Sequence, residues 1–347
     1  MGHGFCNKLL TGSCGLLRSR SKPVSSPQCR VSEGAWWHVR HFACTFRRTQ
    51  MTATTIIPDI HADPARLDAS LAAAEGKRIA FLGDLIDAGS KVGQPDDGYV
   101  LEKARDLVES GRALAIMGNH ELNAILFHTF NTKGEPLRKH SQEHIAQHKS
   151  FIDRFGSTSE VKAWTDWFLT LPLWLEVDGL RLVHACWDQD AIDTIAKRRP
   201  DGRLTADDLE EVADKEKPTA FAAAVEMLTS GPEVPLPKGH SFHDSKGKNR
   251  EKVRIAWWRA ATGTWREVAL SVPDLEELPD EPIAGTESLS IYPESSPPVL
   301  FGHYKIWDTP RIDHSHASCL DFPDAPCVYH WSGGKMLDSK GLEVLST

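Results

Sequence analysis

The chain has 347 residues, 40% hydrophobic and 25% charged, an ordinary globular composition with enough apolar material for a core without staples. A formal net charge of -8 excludes a global pull toward nucleic acid or anionic membrane, and no run of 18 apolar residues offers a transmembrane helix. It would also repel a polyanionic substrate unless local cations or metals cancel it.

The first fifty residues stand apart, with eight Lys or Arg, the single acid Glu33, and Cys6, Cys14, Cys29 and Cys44. They show no sustained helical or strand period. An Arg- and Ser-rich, acid-poor stretch suits an organellar transit peptide. A secretory signal would need an unbroken apolar stretch, and 9–17 is interrupted by Thr11, Gly12, Ser13 and Gly15. The favoured reading is upstream sequence ahead of a start at Met51. In each case residues 1–50 are expected to be disordered and outside the fold, leaving 51–347 as the domain. The remaining Cys186, Cys319 and Cys327 form no CxxC pair and suit a reducing compartment, the cytoplasm, or an organelle if the leader is a transit peptide.

Thr54–Ile57 is a β-branched run ending at Pro58-Asp59. A helix is expected over 64–75, closed by Gly76, then a strand over 78–82 ending at Gly83-Asp84. Val100, Leu101, Ala104, Leu107 and Val108 form the apolar stripe of an amphipathic helix over 99–110. A third strand over 113–117 runs into Gly118-Asn119-His120. This is the βαβαβ rhythm of a parallel sheet buried on both faces, in which ligands bind at the carboxyl ends of the strands. Helices are expected over 141–155 and 158–170. The pair 173–177 and 180–185 around Asp178-Gly179 predicts a hairpin with a type I′ turn. Residues 188–298 read as a lid or insertion, with a helix near 220–228, strands over 253–259 and 265–270, and an acidic, Pro-rich loop over 272–298. Short strands at 299–301, 319–321, 327–331 and 335–337 close the chain.

Five fragments carry chemistry: Asp59-Ile60-His61, Gly83-Asp84-Leu85-Ile86-Asp87-Ala88-Gly89, Gly118-Asn119-His120-Glu121, Val183-His184-Ala185 and Gly302-His303-Tyr304. Their Asp, His and Asn side chains offer oxygen and nitrogen but no thiolate, which suits Mn, Fe or Zn. A carboxylate shared between two ions is the usual way to hold a metal pair together.

In this order the fragments resemble the signature of the calcineurin-like metallophosphoesterases, in the branch containing Ser/Thr protein phosphatases and diadenosine tetraphosphatases. The resemblance spans about residues 55–335. It implies an α/β fold with a central β-sandwich flanked by helices. It also implies two divalent metal ions, Mn²⁺ first, with Asp59 and His61 on one, Asp84 bridging, and Asn119, His184 and His303 on the other. A metal-bridging hydroxide would attack phosphorus, His120 would protonate the leaving oxygen, and Asp87 would orient His120 and raise its pKa. The substrate would be a phosphomonoester or phosphoprotein, or a dinucleoside polyphosphate, with no nucleic acid or membrane partner.

One departure stands out. The family's second motif usually continues with a phosphate-gripping Arg, and Ala88 occupies that position. Asn119 remains as a substrate contact, and Arg254 is the first-ranked replacement cation, ahead of Lys91, Arg259 and Lys305. Ala88 also supports the alternative of a weak or inactive metal-binding scaffold. Elsewhere, His140, His144 and His148 share one helix face and read as a solvated polar stripe. Trp257-Trp258 on a strand predicts one buried and one exposed indole. The basic run 246–252 reads as a solvated loop.

Overall fold

β1 (Thr54–Ile57) consists of four β-branched residues, all buried, whose stiff side chains favour extended backbone. The structure is a computed structural model and describes residues 53–89, 91–156, 158–244, 247–259, 263–283 and 292–346. The expectations for residues 1–50 lie outside the described residues. α1 (Pro64–Ala73) leads to β2 (Arg78–Phe81), and α2 (Asp97–Glu109) leads to β3 (Ala113–Ala115). The sequence starts both helices: Asp63 accepts from the Ala65 and Arg66 N–H groups ahead of Pro64, and Asp96 accepts from Tyr99 N–H.

Next come α3 (Asn119–His128), α4 (Gln142–Gln147), α5 (Lys149–Phe155) and α6 (Glu160–Phe168). β4 (Trp174–Val177) and β5 (Leu180–Val183) form the expected hairpin, with Asp178 at φ +52° and Gly179 at φ +78°. After them come α7 (Gln189–Ala196), α8 (Leu209–Ala213), α9 (Ala220–Ser230), β6 (Glu233–Pro235), β7 (Phe242–His243), β8 (Asn249–Arg250), β9 (Lys252–Ile255), α10 (Trp265–Val268) and β10 (Ala269–Leu270). The chain ends in β11 (Val299–Phe301), β12 (Ala317–Cys319), β13 (Cys327–Trp331) and β14 (Leu342–Val344).

Two sheets form the centre. One has the order β14-β13-β1-β2-β3, with β1, β2 and β3 mutually parallel and β13 antiparallel to β1. The other has the order β12-β11-β5-β4, with β5, β11 and β12 parallel. Strand alternation shows how they meet. Ile56, Ala80 and Leu82 share one core with Leu180, Leu182 and Leu300, while Ile57, Ile79, Phe81, Val183, Val299 and Phe301 turn to the helix-covered core. This is the expected β-sandwich flanked by helices. A third sheet, β10-β9-β6, has its own small core around Val253, Ile255, Trp265 and Leu278.

Several local expectations are corrected. The stretch 265–270 is a helical turn followed by a two-residue strand, because Glu267 Oε2 accepts the Thr264 N–H at 2.8 Å and caps the turn. β9 stops at Ile255, and Trp257 and Trp258 are both buried in the turn beyond it. The Trp257 indole N–H donates to Ala185 O and Tyr304 Oη, and that of Trp258 to Asp313, so neither indole is the exposed one that alternation predicts. The helix expected over 141–155 divides at His148, which is buried. The last strand is Leu342–Val344, not 335–337. Helices α7 and α8 went unread, although Asp188 accepts the Ala191 N–H as an N-cap, and Ile192 and Ile195 face the core.

Candidate active site

The site lies where five strands end: β1, β2 and β3 of one sheet, β5 and β11 of the other. Its loops are sewn to one another. Ile60 and His61 N–H both donate to Asp84 O, at 3.0 and 2.9 Å. Glu121, fully buried, accepts from Asp84 N–H, Leu85 N–H and Gly118 N–H at 2.9, 2.8 and 2.9 Å, joining the β2 loop to the start of α3. Within the second sheet Gly302 N–H donates to His184 O, and that sheet is tied to the first by His303 N–H to the Asp59 carboxylate at 3.1–3.2 Å.

Two glycines make these approaches possible. A Cβ on Gly302 would lie 1.8 Å from Asp59 Oδ1, and one on Gly118 would lie 2.3 Å from Asp84 Oδ1. Non-glycine residues at positive φ gather here as well: His61, Ala62, Asp84, Asp87, His303 and Lys305 all have φ between +48° and +72°. Such conformations persist only where surrounding bonds hold them.

The structure brings together all six expected ligands. Asp59, His61, Asp84, His184 and His303 are buried. His61 Nδ1 faces Ile86 O at 3.3 Å, so its Nε2 turns toward Asp59 and Asp84, 3.9 Å from an oxygen of each, without a hydrogen-bond partner. His184 Nδ1 donates to Leu82 O at 2.7 Å, which aims Nε2 at Asn119 Oδ1, 2.9 Å away, and Asp84 Oδ1, 3.4 Å away. His303 Nδ1 lies 2.8 Å from the same Asn119 oxygen. Ligand atoms of Asp84, His184 and His303 lie within 4.8 Å of one another, as do those of His61, Asp84 and His120.

These residues fit a pair of divalent cations. An unpartnered buried imidazole nitrogen, two buried carboxylates and a shared amide oxygen converge, with second-sphere carbonyls fixing the rings. Charge points the same way. Burial, then Asp321, pushes the Asp59 carboxyl well above the usual range, so the pocket resists a further anion. Burial disfavours a charged His184, but Asp84 and Asp59 outweigh it and lift the ring to about 10. The pocket thus calls for positive charge, which a cation would supply in place of protons.

His120 belongs to one of the two clusters by distance, yet its Nδ1 is committed to Asp87 Oδ2 at 2.7 Å. Its Nε2 lies 3.8 Å from Asp84 Oδ2. Burial opposes its charge, while Asp84 and then Asp87 favour it, and the ring rises to about 9.

A cavity of about 1190 Å³ opens over Asp84, Asn119, His120 and His303. Arg254 and Lys305 are on its wall, together with Arg138, which the sequence reading missed. The other two candidate cations face elsewhere: Lys91 pairs with Asp324 and lies over Trp307, and Arg259 pairs with Asp313. Ala88 donates its N–H to Ser150 Oγ. Glu121 was legible as part of a motif but not as a loop tie, and Asp321, buried and accepting the Lys305 N–H, carried no signal of its own.

Residues 53–252 match the model of the calcineurin-like phosphoesterase family, and the chain belongs to that family, whose members are metal-dependent phosphoester hydrolases with dinuclear centres. Among solved structures, a metallophosphoesterase from Sphaerobacter thermophilus is 20% identical with a TM-score of 0.28, over 42% of this chain and 54% of that one. The chain thus spans about half the length of that relative. A Saccharomyces cerevisiae protein serine/threonine phosphatase with similarity to human phosphatase PP5 is 13% identical over 87% of this chain and 82% of that one, with a TM-score of 0.41. A cold-active protein-tyrosine phosphatase of a Shewanella species is 12% identical over 85% and 81%, with a TM-score of 0.41. No curated protein matches.

Proposed function

We propose that the protein hydrolyses a phosphoric ester or anhydride at this centre. Asp59, His61, Asp84, Asn119, His184 and His303 would hold two divalent cations, with Mn²⁺ the first choice for a donor set of nitrogen and oxygen. Bound there, the cations would supply Lewis acidity toward the phosphoryl oxygens and lower the pKa of the attacking water. The observation that carries the reading is His120. Its Nδ1 is fixed by Asp87, so its other nitrogen is presented to the space beside Asp84 where the leaving oxygen would depart. Arg254 and Lys305 are proposed to meet the phosphoryl charge that the family's arginine meets and Ala88 cannot. The cavity is larger than a phosphoryl group needs, which suits either a phosphoprotein segment or a dinucleoside polyphosphate.

The test is turnover of p-nitrophenyl phosphate and diadenosine tetraphosphate with Mn²⁺ by wild type, Asp84→Ala and His120→Ala. Asp84→Ala is expected to fall to background on both substrates, and His120→Ala by about 10²-fold on phenyl phosphate, a third substrate whose leaving oxygen needs a proton. The preferred substrate names the subclass. A wild type as slow as both variants would replace the hydrolase reading with the metal-binding scaffold that Ala88 suggests.

A further inference from the structure

Asp87 uses both carboxylate oxygens. Oδ2 accepts from His120 Nδ1 at 2.7 Å, and Oδ1 accepts from His148 Nδ1, also at 2.7 Å. Burial opposes the ionised form, but the hydrogen bonds from His120 and His148 hold the carboxyl below its usual range, so it is an acceptor only and both rings must donate. We infer that His148 is a positioning residue for the phosphoester hydrolysis: it locks the carboxylate that aims His120. The inference rests on the reading of His120 as the proton donor to the leaving oxygen.

The surroundings of His148 suit a fixed strut. It is 5% exposed and sits at the break between α4 and α5, 61 residues from Asp87. Its ring stacks on Phe151, with centroids 4.7 Å apart and planes 17° apart, and packs against Phe127 at 5.3 Å. Its Nε2 lies 3.1 Å from His128 Nε2. His128 ends α3, the helix whose first turn carries His120, so the contacts close a ring: His120, Asp87, His148, His128 and back along α3.

The physical need is plain. Asp87 sits at φ +66°, its N–H held by Asp97 Oδ1 at 3.0 Å, and its side chain is nearly free of solvent. Without His148, Oδ1 would be a buried acceptor with no partner, and the carboxylate would turn to seek one, releasing His120 from its orientation. At the break between α4 and α5 the ring of His148 is buried rather than solvated. A continuous helix would have left the ring on the solvated stripe that the spacing of His140, His144 and His148 suggests.

Two variants separate the donor from the packing. His148→Phe keeps an aromatic ring against Phe151 but has no N–H, and His148→Asn places an amide N–H near the position of Nδ1. With Mn²⁺ and the full chain, kcat is measured on phenyl phosphate, whose leaving oxygen needs a proton, and on p-nitrophenyl phosphate, whose leaving group hardly does. His148→Phe is expected to lose about tenfold on the first and less than about twofold on the second, with His148→Asn recovering most of the loss. In a His120→Ala background the His148→Phe change should add nothing. The same pattern should appear without turnover. In metal-free ¹⁵N-histidine protein, the His120 Nδ1 proton should be observable in wild type and His148→Asn, and lost to exchange in His148→Phe.

Equal losses on both substrates, or a persisting His120 proton in His148→Phe, would overturn the inference. If His120→Ala itself shows no leaving-group dependence, the acid reading falls and takes this one with it. If His120→Ala shows that dependence and His148→Phe does not, only the role of His148 is lost.

Discussion

Two regions face the same cavity and are built on opposite plans. The loops ending β1, β2 and β3 are buried and cross-bonded, the first two carry residues held at positive φ, and Glu121 alone ties down three backbone N–H groups. The β10-β9-β6 sheet that presents Arg254 has a separate small core and an arginine one-third exposed, 3.5 Å from Glu233. The difference teaches how the labour is divided. The proposed ligands, whose spacing matters, sit in loops that cannot shift independently, whereas the proposed substrate cation, which need only reach its target, sits on a wall with its own packing.

Changes on the two sides should therefore fail differently. The largest effect is expected from Gly302→Ala. Its Cβ would fall 1.8 Å from Asp59 Oδ1, so the carboxylate must leave its place, and metal content and turnover should both collapse. A variant that keeps two Mn²⁺ per chain by elemental analysis would show that this end of the cage can yield. Glu121→Ala comes next. It strips the acceptor from three buried N–H groups and should cost about 3 kcal/mol in denaturant unfolding. A loss under about 1 kcal/mol would mean that the loops have other support.

On the wall, Arg254→Ala should raise KM about tenfold with kcat changed far less, the signature of lost substrate binding without loss of the cage. An unchanged KM on both substrates would remove Arg254 from the site and leave Lys305 as the cation to test. The smallest effect is expected from Glu267→Ala. It uncaps α10 and should cost under about 1 kcal/mol without altering turnover. A change in kcat there would show that the small sheet and the cage are coupled after all.

Legibility follows the same division. Asp59, His61, Asp84, Asn119 and His120 were readable because each follows a short apolar strand within a βαβ rhythm, so sequence order alone brings them to one sheet edge. His184 and His303 were readable from motif order, and their place beside one another follows from parallel pairing of β5 with β11. Arg254 was readable only as a cation near the right strand. Trp257 and Trp258 misled, because alternation assumed that the strand continued, whereas it ends at Ile255 and both indoles are buried in the turn beyond. His148 misled too, since helical spacing cannot anticipate a buried carboxylate 61 residues away that binds its ring.

By itself the sequence determined the family fragments, the parallel half of the sandwich and which residues gather at the strand ends as candidate ligands, because these depend on periodicity and on residues adjacent to strand ends. Only the tertiary structure decided which cations line the cavity, that Glu121 joins two loops and that Asp87 serves two histidines. Those are contacts between segments far apart in the chain, chosen by packing and by the need to satisfy buried polar groups, and no local pattern encodes them.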